Sequence, residues 1–511
     1  MRLEKDKTGI YRHRHWRGLK DTLYDYGQWL RLWYILIKWA VKHPIVNVKA
    51  LFRYRWMLSY LAVPAFFDRI VGRAGGEGLR AARNNLNTVA EVVTEDLEAT
   101  LMADRHMRPG NADAEARSKK MIYMDELIPK LVTAGFPKNK TILAQAIPAY
   151  LPSLINQHSP VHYIEASESY GLPADVCPLP SLEAGIAIED DFPLLGCCFI
   201  SCNMPCDGSI MTTTLQDRRF DLPTFPLNIP LRWTREDTQE YAVEEMKACI
   251  EFIEEHTGEK CDWDALAAAC EEVNKQNRMK MEKWELNRTE TPPFTGGGNW
   301  IHRIFSYEFG CAHPKVVAND RKVNAILKKP FEEGRAPYQY PQEVRHRAVA
   351  WNTPANMYGH FNAWIAECWG VQIVCDMIDL QGTEIIDTSS QESILYGLAK
   401  MVQGSTMRVH TKGGWEIIMD DLWAKVEEYN ADMVIMYDQI SCKGVAALKG
   451  AFEEQARARG IRMVWVEQDL MDPTTINRRT MRDQVNKYME TVMGETPVDA
   501  DLVDFDDSES W

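Results

Sequence analysis

Residues 431–469 read ADMVIMYDQISCKGVAALKGAFEEQARARGIRMVWVEQD. "ADMVIMYDQ" is an apolar run of strand length. "GVAALKGAFEEQARARG" has a helical pattern that ends on Gly460. "IRMVWVEQD" is a second apolar run. Strand, helix and strand in succession predict a crossover joining two parallel strands. In open sheets of this kind, chemistry collects beyond the carboxyl ends of the strands. Cys442 stands there, in "QISCKG", between the first strand and the helix.

The rhythm repeats on the N-terminal side. "HRAVAWN" predicts a strand, "NMYGHFNAWIAECW" a helix and "GVQIVCDMI" a strand. Helices follow at about 390–404 and 415–429, and "TINRRTMRDQVNKYMETVM" closes the series as a helix. Residues 341–495 therefore predict a doubly wound α/β domain of four strands, and 496–511 an acidic tail. Further upstream, "KTILAQAI" predicts a strand, "PAYLPSLINQH" a helix, and "VHYIEAS" and "PLLGCCFIS" two more strands. Long helices are expected over 236–290, with Asp237 and Asp262 at their starts. This places a first α/β domain, with a helical insert, at 136–340. Residues 1–135 read as a helical extension. The fold class is thus α/β: two parallel-sheet (Rossmann/flavodoxin-like) domains plus a helical N-terminal region.

The extension carries "YGQWLRLWYILIKWAVKHP", in which Trp29, Trp33 and Leu36 recur at helical spacing and predict one buried face. Arg31 and Lys38 interrupt the run, so it is too short and too charged to span a bilayer. Packing on the body or on a partner subunit is the favoured expectation. Contact with a membrane surface, aided by Arg12, Arg14, Arg17, Lys20, Lys38 and Lys42, is the lesser one.

The chain has 511 residues and a net charge of −15, which argues against nucleic acid as a partner. Its first residues are charged and lead into no compact apolar run, so a cytoplasmic location with reduced thiols is expected. Of its 12 cysteines, four crowd into ten positions, Cys197, Cys198, Cys202 and Cys206. Cys249, Cys270, Cys368 and Cys375 lie in apolar patterns and read as small core residues. Cys206 follows the strand "PLLGCCFIS", and Cys177 lies in a proline-rich loop a short way beyond "VHYIEAS". Cys177, Cys206 and Cys442 thus come from three loops in two domains. There is no CxxC pair for structural zinc and no tight ferredoxin run. Core thiols, a redox pair, and a [4Fe–4S] cluster held between domains with one iron open all stand on spacing alone.

Weaker candidates accompany them. Glu165, expected at a strand end, is a candidate base or ligand contact, and His360, near a helix start, a candidate proton or hydrogen-bond donor. The loop "FTGGGNWIHR" permits close backbone approach to a ligand through Gly296, Gly297 and Gly298. His410 and Lys412 are candidate phosphate contacts. For each, an ordinary structural role is the competing reading.

Residues 140–495 resemble the 2-hydroxyacyl-CoA dehydratase / benzoyl-CoA reductase family. "CDG" at 206–208 resembles that family's cysteine motif after a strand. "DMVIMYDQISC" followed by "RGIRMVWVEQDLMDP" is similar to its third cysteine region, and "ADVCPLPSLEAG" to its first. "INRRTMRDQVNKYMETVM" is similar to its last helix. "SIMTTT" stands where the family usually has lysines, and the aromatic extension also departs from its pattern. The resemblance implies a [4Fe–4S] cluster on Cys177, Cys206 and Cys442, with Cys202 the rival for the second place. It implies a homologous second subunit and a separate ATP-hydrolysing iron–sulfur activator as partners. No P-loop pattern occurs in this chain, so ATP is expected to bind elsewhere. The implied activity is ATP-driven, one-electron (ketyl radical) dehydration of a 2-hydroxyacyl-CoA to a 2-enoyl-CoA by an oxygen-sensitive enzyme. The alternatives are reductive dearomatisation of a benzoyl-CoA-type substrate and a non-catalytic, cluster-carrying electron-transfer subunit.

Overall fold

The computed structural model describes residues 17–125, 128–202, 208, 215, 219, 221–230, 236–337, 343–377, 383–405, 410 and 414–504. Two four-stranded sheets organise them. The first comprises β1 (Met121–Met124), β2 (Lys140–Leu143), β3 (Cys198–Cys202) and β4 (Thr224–Leu227), in the order β2-β1-β3-β4. The second comprises β5 (His346–Trp351), β6 (Val371–Asp376), β7 (Met433–Gln439) and β8 (Arg462–Gln468), in the order β6-β5-β7-β8. Every pairing is parallel. All five residues of β3 and all seven of β7 are buried, as strands covered by helices on both faces require. The expected α/β class therefore holds, in two sheets of identical winding. In each, the chain steps to one side of its first strand and then to the other. That reversal opens a crevice between β1 and β3 in one sheet, and between β5 and β7 in the other.

Three local expectations are corrected. "VHYIEAS" is not a strand but the start of a helix, Val161–Tyr170. Its β-branched and aromatic residues suggest a strand, but Tyr163, Ile164 and Ser167 are the buried set, which is helical spacing. Gly171, at φ 116°, ends the helix, and Leu172 N–H donates back to Ser167 O. This helix packs on Pro178–Ile188 so closely that a Cβ at Gly185 would lie 1.9 Å from Tyr163 O. Two strands lie where none is expected. β1 has four residues, all buried, with no alternation to betray it, and it falls inside the stretch read as helical. β4 contains Pro226, which an edge strand such as this one tolerates.

The N-terminal region is helical, with helices at Leu19–Lys42, Pro44–Arg53, Val63–Val71 and Gly76–Ala103. The 28-residue helix Gly76–Ala103 is the spine on which the others lie. A buried charge network fastens the first helix to it. Arg83 pairs with Asp25 and Asp68, and Arg17 pairs with Asp25 at 3.2 Å. The buried face of Leu19–Lys42 is Asp25, Leu32 and Ile35, not the expected Trp29, Trp33 and Leu36. Trp33 is exposed, and Trp29 and Leu36 are half-buried.

Helix Gln391–Gln403 follows β6 in the chain, yet buries Ile394, Leu395 and Leu398 in the core of the first sheet, against Glu236–Thr257. The segment leading into it is pinned there. Asn274, on helix Trp263–Asn287, donates to Ile386 O and accepts from Ile386 N, both at 2.8 Å.

Candidate functional site

Cys442 lies at the carboxyl end of β7, beside the β5/β7 crevice. Its N–H donates to Gln439 O at 2.9 Å. Its carbonyl accepts from Val445 and Ala446 N–H as the chain enters the turn Lys443–Ala446. Asn352, just beyond β5, takes a left-handed conformation (φ 68°) and donates its side-chain amide to Tyr437 O at 2.8 Å. That bond ties the end of β5 to β7. The Cys442 thiol is half-buried against the second core.

The corresponding corner of the first sheet is held by a residue that sequence reasoning passed over. Asp125 follows β1 and is buried. Its N–H donates to Ile200 O at 2.9 Å, one carboxylate oxygen accepts from Cys202 N–H at 2.9 Å, and the other accepts from Gln145, just past β2. One carboxylate thus joins the carboxyl ends of β1, β2 and β3. The loop bearing Cys206 leaves from this point, and Cys206 itself lies outside the described residues. The available signal was an acidic residue directly after an apolar run, "MIYMDE".

Cys177 is the residue before helix Pro178–Ile188, whose first position is the proline that suits a helix start. It does not follow a strand, because "VHYIEAS" is helical, but it is half-buried against the first core. Asp175, two residues before it, forms an ion pair with Lys443, the residue after Cys442. The ammonium of Lys443 holds the Asp175 carboxyl below its ordinary range. The loops carrying Cys177 and Cys442, one from each α/β unit, therefore meet. Peptide N–H groups at a helix start favour a thiolate, and soft thiolates are the donors that iron–sulfur clusters take. This donor chemistry fits such a group. Among the described residues, no three or more His, Cys, Asp or Glu side chains are grouped to hold a metal ion, and the expected set is incomplete without Cys206.

The four thiols read as core residues are core residues. Cys249, Cys270, Cys368 and Cys375 are buried. Burial pushes the thiols of Cys249 and Cys270 up to about 12. Cys198 is buried in β3, while Cys197, one residue earlier, is half-buried with its sulfur 3.2 Å from Met121 O. Cys202, the rival ligand, is buried at the last position of β3.

The other candidates are separate from this corner or differ from expectation. Glu165 is on the exposed side of helix Val161–Tyr170, not at a strand end. His360 does precede a helix, Phe361–Trp369, but it is buried. Desolvation, aided by the charges of Arg478, Arg69 and Arg482, holds it neutral, well below the usual histidine range. It can offer an N–H but not a spare proton. The expected glycine loop is instead a helix start: Gly296 caps helix Gly297–Glu308, and a Cβ at Gly298 would lie 2.6 Å from Ala82 Cβ on the spine helix, so the glycine serves packing. His410 is buried, bonded to Asp421 at 2.9 Å with its ring 5.1 Å from that of Trp351, contacts that suit an ordinary structural role. Lys412 lies outside the described residues.

Compared with known families, residues 142–492 match the one described as "2-hydroxyglutaryl-CoA dehydratase, D-component". No curated protein matches the chain. The matched span takes in both sheets from β2 onward, and with them the loops of Cys177, Cys206 and Cys442. The extent of that match, about two-thirds of the chain and both parallel sheets from β2 onward, makes the chain a member of the 2-hydroxyglutaryl-CoA dehydratase D-component family.

Proposed function

We propose that this chain is the cluster-bearing subunit of an oxygen-sensitive 2-hydroxyacyl-CoA dehydratase. The observation that carries the reading is the Asp175–Lys443 ion pair, which joins the loops of two expected ligands across two α/β units. Cys177, Cys206 and Cys442 would hold a [4Fe–4S] cluster, which supplies one-electron chemistry when bound. The chain's own residues would do the rest. Asp125 sets the strand ends from which the Cys206 loop departs, and Asn352 does the same for the Cys442 side. A cleft formed where the Cys177 and Cys442 loops approach would orient the thioester and exclude water.

One electron reduces the thioester carbonyl of a 2-hydroxyacyl-CoA to a ketyl radical anion. That radical expels the 2-hydroxyl group as hydroxide. The β-carbon then loses a proton, and return of the electron leaves the 2-enoyl-CoA. Hydroxide and proton leave as water. The electron would come from an ATP-hydrolysing iron–sulfur activator, and a homologous second subunit would complete the site. No described helix is long and apolar enough to cross a membrane.

The test is purification without oxygen together with the companion subunit. About four irons per chain, lost on Cys442→Ser, are expected. The complex should then convert a 2-hydroxyacyl-CoA only with activator and ATP. Iron-free protein would refute the reading. Reduction of an aryl-CoA in place of dehydration, or a bound cluster blind to every acyl-CoA, would move it to one of the two alternatives.

A further inference from the structure

The first helix turns an apolar stripe outward. Leu19, Leu23, Tyr26, Leu30, Trp33 and Ile37 follow one another at alternating steps of four and three, and each is 37–66 % exposed. The stripe continues onto helix Pro44–Arg53 through Ile45, Val48 and Phe52, the last 90 % exposed. An exposed apolar surface this long marks a contact site.

Charge shows what kind of surface would meet it. Over residues 17–67 the only acids are Asp21 and Asp25, and both face the body. Asp21 accepts from Gly76 N–H and pairs with Arg80, while Asp25 belongs to the buried network. The exposed charged residues of the same span are Lys20, Lys38, Lys42, Lys49 and Arg55. Lys42 pairs with Glu98; Lys38 and Lys49 form no ion pair with described residues. A chain of net charge −15 thus presents one apolar face whose exposed charges are all positive. Two copies meeting through this face would oppose cation to cation, which argues against self-association.

Beneath the stripe lies a cavity of about 330 Å³, lined by the exposed Trp33, Ile37 and Pro44 and by the buried Phe67, Val93 and Leu97. Its asparagine, threonine and tyrosine side chains are already engaged. Asn47 donates to Trp39 and Ala40 O at 3.1 Å, Thr94 donates to Ala90 O at 2.9 Å, and Tyr60 donates to Ile147 O at 2.7 Å. The wall offers little hydrogen bonding to a guest, which suits a hydrocarbon chain better than a polar peptide.

We propose that helices Leu19–Lys42 and Pro44–Arg53 dock the protein on an anionic phospholipid surface. Lysines contact the headgroups, Trp33 and Phe52 lie at the interface, and the cavity admits an acyl tail. The arrangement is that of a helix lying in the membrane plane rather than crossing it.

The test is flotation of the full chain with vesicles of phosphatidylcholine alone or mixed with phosphatidylglycerol. Binding is expected only with the anionic lipid and should weaken as salt rises. The double variant Lys38→Gln/Lys49→Gln should lose roughly thirtyfold in partitioning. Leu30→Glu/Phe52→Glu should abolish binding with the circular dichroism unchanged, because both sites already face water. Brominated lipid should quench the wild type more than Trp33→Phe. Several results would overturn the proposal: no flotation with anionic vesicles, equal flotation with both lipids, or unaltered binding by the variants. So would a dimer that Leu30→Glu/Phe52→Glu dissolves, or a companion subunit that covers Leu30 and Trp33 and leaves the complex unable to float.

Discussion

Gly185→Ala tests how the fold sets the position of Cys177. Gly185 lies on the helix that begins one residue after Cys177, at its crossing with Val161–Tyr170. An added Cβ would meet Tyr163 O at 1.9 Å, Tyr163 C at 2.5 Å and Tyr163 Cα at 2.8 Å. All three are backbone atoms, so no side chain can rotate aside. The two helices must separate by roughly 1 Å before the contact becomes tolerable, which overpacking data place at about 3 kcal/mol. The same movement carries Cys177, so retention of the proposed cluster should fall along with stability. Gly450→Ala is the matched control. That glycine is inside helix Lys449–Arg459 with nothing within 4 Å of a new Cβ, so the change should be neutral or stabilise by up to about 1 kcal/mol. Urea unfolding and iron analysis under nitrogen would be run on both. If Gly185→Ala unfolds within about 0.5 kcal/mol of wild type and keeps its iron, helix packing does not position Cys177.

Asp125→Ala strips a buried acceptor from Cys202 N–H and Gln145, at about 1–3 kcal/mol for the donors stranded. The proposed cluster should be lost further in this variant than in Asp125→Asn, which keeps one acceptor, as metal analysis of the two would reveal. Asp25→Ala leaves Arg83 and Arg17 each short of a buried partner and should cost about 3–5 kcal/mol. Limited proteolysis should then cut within Leu19–Lys42 before anywhere in the sheets; uniform cleavage would count against the network's role. Asp469, beyond β8, has its carboxyl raised to about 6 by burial, against an ordinary 3.8. The folded state therefore holds its proton more tightly than the unfolded chain does. That stability is complete below about pH 4 and fades as pH rises through about 6, a difference of about 3 kcal/mol. Asp469→Asn should flatten this part of the curve, and urea midpoints at either end of the window that change as in wild type would contradict it.

Much of the second α/β unit was legible from residues alone. Its strands, such as "ADMVIMYDQ", are apolar at nearly every position because both faces are covered. Its helices end on readable stops, with Gly370 and Gly460 both left-handed at their termini. Cys442 was legible for the same reason, since a thiol immediately after such a strand must lie at the sheet's carboxyl edge. The first unit was less so. Four-residue β1, proline-bearing β4 and the helix written as "VHYIEAS" have local preferences too weak or too misleading to compete with the contacts they make.

What the amino-acid sequence settled by itself was periodicity: which stretches wind, which extend, and which thiols stand in loops. Which loops meet depended on the folded chain. The Asp175–Lys443 pair spans 268 positions of chain, and the Asp125 junction gathers three strand ends. The outward face of the first helix depends on which side the spine claims, and the Asp25–Arg83 pair makes that choice. Local patterns fix backbone conformation within a few residues, whereas an ion pair or a buried carboxylate forms only between segments that packing has already brought together.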